Sequence, residues 1–368
     1  MSAATLSFDV RPSTSRVAET ERAALMANPG FGRVFTDHMV TVRYADEKGW
    51  YEPRVEAYGP LSVDPATAAL HYGQEIFEGL KVYRQPDGGL ALFRPEENAR
   101  RFQRSAARMA MAPLPEELFL ESIRQLVAID RDWVPSEPET SLYLRPFMVA
   151  TDVFLGVRPS LEYLYLLIGS PVGAYFPRGV KPVSVWLSTD YVRAAPGGTG
   201  EAKCAGNYAA SLCAQAQAIQ AGCDQVVWLD AVERRWVEEM GGMNLFFVYR
   251  EPGQDRPTLV TPKLTGTLLP GITRDSILTL AGDLGYPVEE RLLSVAEWRE
   301  AATSGRMTEA FACGTAAVIT PVGSVKGADG EFTMADGEPG EVTMRLRTLL
   351  LDIQHGNAED THGWRLPI

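Results

Sequence analysis

Gly197-Gly198-Thr199-Gly200-Glu201-Ala202-Lys203-Cys204-Ala205-Gly206-Asn207-Tyr208 sets one lysine between two runs of small residues, just ahead of an alanine-rich stretch that reads as a helix. Lysine is scarce in this chain. The others are Lys48, Lys81, Lys181, Lys263 and Lys326, and arginine carries most of the positive charge. A lysine in a glycine-rich turn therefore invites a chemical reading. An ammonium that sheds its proton on burial is a nucleophilic amine, which a guanidinium cannot become. Such an amine forms a Schiff base with an aldehyde cofactor such as pyridoxal phosphate. A solvated lysine on a surface turn is the competing reading, and this stretch alone does not separate the two.

The chain has 368 residues, room for two domains. Its hydrophobic content of 45% and charged content of 22% allow a core that needs neither disulfide nor metal to hold it. A net charge of -12 and a pI near 5.0 argue against nucleic acid as a partner, because a phosphate backbone wants a basic face. They leave room for a local basic pocket. Cys204, Cys213, Cys223 and Cys313 are scattered without a CxxC pair, which fits a reduced, cytoplasmic protein. His38, His71, His355 and His362 lack zinc-site spacing, so no metal is expected. No basic segment followed by an apolar run opens the chain, and the most apolar stretch, 161–176, is interrupted by Glu162 and Pro171. No membrane partner is expected.

Periodicity and turn residues divide the chain into strand and helix. Strands are expected at 38–44, 54–58, 90–94, 141–151 and 163–170, with helices at 96–109 and 116–130. Residues 173–182, rich in Gly, Pro, aromatic and basic residues, read as the connection to a second part. That part is expected to hold strands at 183–188, 225–230, 235–239, 245–250, 258–261, 288–291 and 309–318. Helices are expected there at 208–221, 273–284, 295–304 and 341–355.

Further stretches add chemistry to the lysine. In Trp236-Val237-Glu238-Glu239-Met240-Gly241-Gly242-Met243-Asn244 a carboxylate stands beside small residues, and a buried carboxylate needs a partner such as a protonated ring nitrogen. Pro270-Gly271-Ile272-Thr273 opens a helix, where free amides and the helix dipole favour a phosphate. Cys313-Gly314-Thr315-Ala316 is a second turn with a hydroxyl and exposed amides. Each also has a purely structural reading: a salt bridge for Glu239, a helix entry and a strand-end turn for the other two. The glycines at 197, 198 and 200 do not form a nucleotide loop, since neither Gly-Lys-Ser/Thr nor Gly-x-Gly-x-x-Gly is present.

Taken together, these stretches resemble the branched-chain amino acid aminotransferases, pyridoxal phosphate enzymes of fold type IV. The resemblance also takes in Phe35-Thr36-Asp37-His38-Met39, Leu70-His71-Tyr72, Phe77-Glu78-Gly79-Leu80-Lys81, Leu142-Tyr143-Leu144-Arg145-Pro146, Val172-Gly173-Ala174-Tyr175-Phe176 and Leu269 to Arg274, from about Phe31 to the C-terminus. It implies an α/β (α+β) fold: a small α/β domain at 1–174, a connection at 175–184, and a larger pseudobarrel domain at 185–368, with pyridoxal 5′-phosphate between them. It implies Lys203 as the Schiff-base lysine and general acid–base, Glu239 on the pyridine nitrogen, and Tyr208 on the phenolic oxygen. The phosphate would be held by Arg101, the amides of Ile272 and Thr273, and Thr315. Arg94, Arg100 and Arg104 keep their reading as a solvated helix face.

The implied substrate pocket is lined by Phe31, Tyr72, Phe77, Tyr143, Tyr175 and Ala316, with Arg145 for the distal carboxylate of glutamate and Val157 reaching a neighbouring subunit's pocket. Two positions depart from other members. Ala317 and Thr320 stand where some carry a redox CxxC, and Gly242 where some carry a hydroxyl. The expected activity is a ping-pong transamination of leucine, isoleucine and valine with 2-oxoglutarate, giving branched 2-oxo acids and glutamate, by a homodimer. D-amino acid aminotransferase, aminodeoxychorismate lyase and a non-catalytic B6-binding protein are the alternatives. The Tyr143-x-Arg145 and Gly173-Ala174-Tyr175 stretches favour the branched-chain type over the first two, and the retained lysine argues against the third.

Overall fold

Alternation at period two governs the strand Met243–Tyr249: Leu245, Phe247 and Tyr249 face one core, while Phe246 turns the other way and stacks on Phe311 at 5.2 Å. The same alternation runs through Gln225–Leu229. Val227 and Leu229 join the core of Phe247, whereas Val226 and Trp228 pack on Ala214 and Ala218 of the helix Leu212–Gln220. A strand apolar on both faces is covered on both sides, and that is the arrangement here.

The computed structural model describes residues 7–175, 179–251 and 253–368. The chain divides into two compact units. The first comprises Met1–Tyr175, Ala202–Ala205 and Asp352–Ile368, and the second Phe176–Glu201 and Gly206–Leu351. Within the expected connection at 175–184, residues 176–178 lie outside the described residues, as do residues 1–6 of the expected first domain.

The first unit holds a nine-stranded sheet around the long antiparallel pair Ser141–Ala150 and Glu162–Val172. His38–Ala45 and Gly49–Ala57 extend it on one side, Leu80–Arg84 and Leu90–Phe93 on the other, and Glu75–Phe77 also pairs with Ser141–Ala150. The helices Pro95–Arg108 and Glu116–Ile129 pack on the sheet through Phe102, Phe119 and Tyr165, whose ring centroids lie 5.7–6.4 Å apart.

The second unit holds the other nine-stranded sheet, and this one closes on itself. Val183–Ser188 runs parallel to both Gln225–Leu229 and Val318–Gly327. Val237–Met240 pairs with Gln225–Leu229 and with Met243–Tyr249, which pairs with Met307–Gly314, which returns to Val318–Gly327. The ring has no open edge along these strands, as in a barrel. The expected α/β class and the barrel of the second part both hold.

Three expectations are revised. The block at 185–368 is not continuous: Phe77 donates its N–H to the Lys203 carbonyl at 3.0 Å, and Arg365–Pro367 adds an edge strand to Leu90–Phe93, so both pieces belong with the first unit. The helix expected at 208–221 is two pieces, Ala205–Ala209 and Leu212–Gln220. At the break, both the hydroxyl and the amide of Ser211 bond the Tyr208 carbonyl, at 2.6 and 3.0 Å. The strand expected at 309–318 is a hairpin, Met307–Gly314 and Val318–Gly327, turning at residues 315–317 and leaving Val318 at φ 62.

Trp298, on the helix Val295–Ser304, is fully buried with its ring edge-on to Phe247 at 5.0 Å and Phe332 at 5.7 Å. Trp298→Ala is expected to destabilise the protein by about 3–5 kcal/mol, because that void cannot collapse onto a sheet already closed. Urea unfolding followed by circular dichroism reads the loss directly.

Candidate active site

Asn98, Arg101 and Ser105 fall on one face of the helix Pro95–Arg108, spaced as helical neighbours. All three are buried, and each has a specific partner in the first unit. The Arg101 guanidinium forks onto Glu78, with Nε to Oε1 at 2.7 Å and Nη2 to Oε2 at 2.8 Å. Asn98 donates to the same Oε2 at 2.8 Å, and so does the Gly79 N–H at 3.2 Å. Burial pushes the Glu78 carboxyl up, but Arg101, with Lys203 and Asn98, more than offsets this and holds it below the usual carboxylate range. Ser105 Oγ accepts the Lys203 N–H at 2.9 Å. The lysine's backbone is thus held on one side by this helix and on the other by Phe77, while its neighbours Ala202 and Cys204 are buried in the core.

The Lys203 ammonium lies over the Phe77 ring, 4.9 Å from its centroid. The Arg145 guanidinium lies over the same ring at 4.8 Å and over Tyr143 at 5.4 Å, and its Nη2 donates to the Tyr143 hydroxyl at 3.1 Å. Phe31 meets Tyr143 edge-on at 5.0 Å. A Cβ at Gly79 would stand 2.1 Å from the Tyr143 hydroxyl, so only glycine lets this tyrosine take its place. Phe31, Phe77, Tyr143, Arg145 and Lys203 therefore form one cluster. Tyr72 stands elsewhere: its hydroxyl donates to the carbonyl of Leu155, on the loop that carries Val157. Val157 is 85% exposed, and Tyr175 is exposed as well.

In the second unit, Glu239 is buried at the end of Val237–Met240. Its Oε1 accepts the Leu269 N–H at 2.6 Å, and its Oε2 lies 3.0 Å from Nε of buried Arg193. Arg193 is itself fixed by the carbonyls of Thr267 and Gly200 at 2.9 and 3.2 Å. Asn244, opposite Glu239 across the hairpin, donates to the Leu269 carbonyl at 3.1 Å. A Cβ at Gly271 would sit 2.0 Å from Asn244 Oδ1, which requires glycine at the cap of the helix Ile272–Asp283. No side chain caps that helix, so the first-turn amides of Ile272 and Thr273 have no side-chain acceptor at the cap. Thr315 and Ala316 are half-buried in the hairpin turn, and Tyr208 lies against Gly242. Asn207 donates to the Thr199 carbonyl at 2.8 Å, pinching the chain on either side of the lysine.

The donor set suits pyridoxal phosphate. Its lysine is fixed at the backbone on both sides, its carboxylate is held in the interior to face a cation, and its helix start lacks a side-chain cap where a phosphate would bind. Arg101 is buried rather than on the solvated face to which Arg100 and Arg104 belong. Glu78, Asn98, Ser105, Arg193 and Asn244 were not singled out by sequence. Only the i, i+3, i+7 spacing of Asn98, Arg101 and Ser105 could have pointed to part of this group. Cys313 is buried and burial raises its thiol, so it is an interior residue of the turn. Among the described residues no group of histidine, cysteine, aspartate and glutamate could hold a metal, and no helix is long and apolar enough to cross a membrane.

Residues 75–325 match the family described as amino-transferase class IV. The chain is 62% identical over 365 residues, 99% of each chain, to the branched-chain-amino-acid aminotransferase of Mycolicibacterium smegmatis. It is similar in structure to the branched-chain amino acid aminotransferase of Escherichia coli, with a TM-score of 0.70 and 30% identity, covering 90% of this chain and 98% of that one. The T.th. enzyme of the same name, solved with pyridoxamine 5′-phosphate, has a TM-score of 0.72 and 29% identity, covering 88% and 97%.

Removing the Glu78 charge would strand the Arg101 guanidinium. Glu78→Gln is expected to cost about 3–5 kcal/mol, as for other broken buried pairs. Because the folded pKa of Glu78 is depressed, the pair's stabilisation is present above the ordinary value of 4.5 and is lost as pH falls through the lower folded value. Thermal melts of wild type and variant should therefore converge in strong acid and separate as the pH rises through that range.

Proposed function

The chain belongs to the class IV aminotransferases as a branched-chain-amino-acid aminotransferase, and from that premise we propose how its residues divide the reaction between L-leucine, L-isoleucine or L-valine and 2-oxoglutarate. Pyridoxal 5′-phosphate, when bound, supplies the carbonyl that takes up the amino group and a ring that draws off the electron pair. The residues do the rest. Lys203 Nζ would hold the cofactor in the resting enzyme and, once released, would carry a proton to and from the substrate. Glu239 would accept a hydrogen bond from the ring nitrogen and favour its protonated form. Tyr208 would donate to the phenolic oxygen. Arg101, the amides of Ile272 and Thr273, and Thr315 would bind the phosphate.

Phe31, Phe77 and Tyr143 offer aromatic walls for a branched aliphatic side chain. Arg145, beside Tyr143, takes the distal carboxylate when glutamate or 2-oxoglutarate occupies it. The observation that supports this reading is that the Lys203 amine and the Arg145 guanidinium both lie over the Phe77 ring, around the same surface.

The visible spectrum tests the chemistry. The purified protein is expected to be yellow and to bleach with L-leucine in the absence of any oxo acid, but not with D-alanine. Lys203→Ala should bind the cofactor and lose turnover. Bleaching by D-alanine alone would move the assignment to the D-amino acid branch.

A cytoplasmic homodimer completes the proposal. Its support is the 151–161 loop, where Val153, Leu155, Val157 and Leu161 are 50–85% exposed, more apolar surface than one short loop usually leaves in water. Leu155→Asp combined with Val157→Asp is expected to shift sedimentation from dimer toward monomer. Wild type sedimenting as a monomer would remove this part of the reading.

A further inference from the structure

The second unit contains a cavity of about 780 Å³, whose lining includes Leu187, Leu229, Val295, Arg234, Arg235 and Arg299. It lies at the other end of the barrel from the candidate active-site turns. Val318–Gly327 starts just after the Thr315 turn and ends at Gly327, which lines the cavity. Val237–Met240 starts beside Arg235 and ends at the Gly241–Gly242 turn.

Three observations distinguish this cavity from a fortuitous gap. First, it gathers three guanidiniums in a chain of net charge -12. The acids on its lining are Asp329, which is exposed, and Glu300, which is already paired with Arg306. Second, Nη1 of Arg234 is buried and, among the described residues, has no hydrogen-bond partner. A buried guanidinium nitrogen in that state wants an acceptor. Third, Arg234 has φ 54, a left-handed conformation that disfavours a long side chain. Asp230 enforces it, its carboxylate accepting the N–H groups of Val232, Glu233, Arg235 and Trp236 at 2.7–3.1 Å. Keeping an arginine where glycine would fit more easily points to a use for its side chain. Arg299 lies over the Phe332 ring at 5.0 Å, with no carboxylate partner among the described residues.

We propose that this cavity is a second binding site, separate from the transamination site, for a small organic carboxylate with an aliphatic body. The carboxylate would meet Arg234 and Arg299, and the hydrocarbon would cover Leu187, Leu229 and Val295.

Equilibrium dialysis of the holoenzyme against labelled 4-methylpentanoate tests this. Wild type should take up a second equivalent per chain beyond the one bound at the transamination site. Arg234→Gln combined with Arg299→Gln should lose that equivalent and keep leucine transamination unchanged. Ala296→Trp, which fills the cavity mouth and leaves the charges in place, should lose it too, so the proposal does not depend on the arginine variant folding. Acetate, with the same carboxylate and little hydrocarbon, should bind there on the order of tenfold more weakly or worse. A single equivalent in wild type, a second equivalent that survives in both variants, or acetate binding as tightly would each overturn the proposal.

Discussion

A carboxylate with no exposure to solvent must be answered by charge, and in the first unit Glu78 is answered by Arg101. That requirement fixes more than one ion pair. It docks the helix Pro95–Arg108 against the chain that follows Glu75–Phe77 at a set rotation, and the rotation determines what else the helix presents. One turn further on it presents Ser105, whose hydroxyl takes the Lys203 N–H. Phe77, the residue before the carboxylate, holds the Lys203 carbonyl and offers its ring to the ammonium. The lysine is thus positioned through its main chain, with its ammonium over the Phe77 ring.

The second unit solves a related problem. Glu239 is also buried, and besides Asn244 on its own hairpin it draws partners from segments distant in sequence: Arg193 before the lysine and Leu269 before the helix Ile272–Asp283. The hairpin that carries Glu239 is also the seam at which the barrel closes. Stability and chemistry therefore draw on the same turn, and Gly242 leaves room for Tyr208 against it.

Much of this was legible in the sequence wherever a local pattern carries the information. Lys203 stood out because glycines flank it in a lysine-poor chain, and Ile272 and Thr273 because Pro-Gly opens their helix. The strands of the barrel were legible from alternation. Glu78, Asn98 and Arg193 were not legible, because a polar residue reveals its burial only through a partner far away in sequence. Arg101 could be lifted out of its arginine-rich helix by resemblance but not by periodicity, since Arg100 and Arg104 offer the same chemistry to solvent. The split at Ser211 was missed for a different reason. A single hydroxyl competing for one carbonyl ends a helix without changing its composition.

The visit of Ala202–Ala205 to the first unit, and the strand Arg365–Pro367 at its edge, bear on how the protein is made. A ribosome delivers residues 1–175 before either piece, Ala202–Ala205 soon after and Arg365–Pro367 only once the barrel has been made. Before the first arrives the nascent first unit has no Lys203 carbonyl to accept the Phe77 N–H, and before the second it has an unpaired edge at Leu90–Phe93. That edge stays open until residues 365–367, which follow the barrel in sequence, have been made. Cutting the chain at residue 175 would take both pieces from the first unit and leave an unpaired strand edge, the kind of surface that invites aggregation.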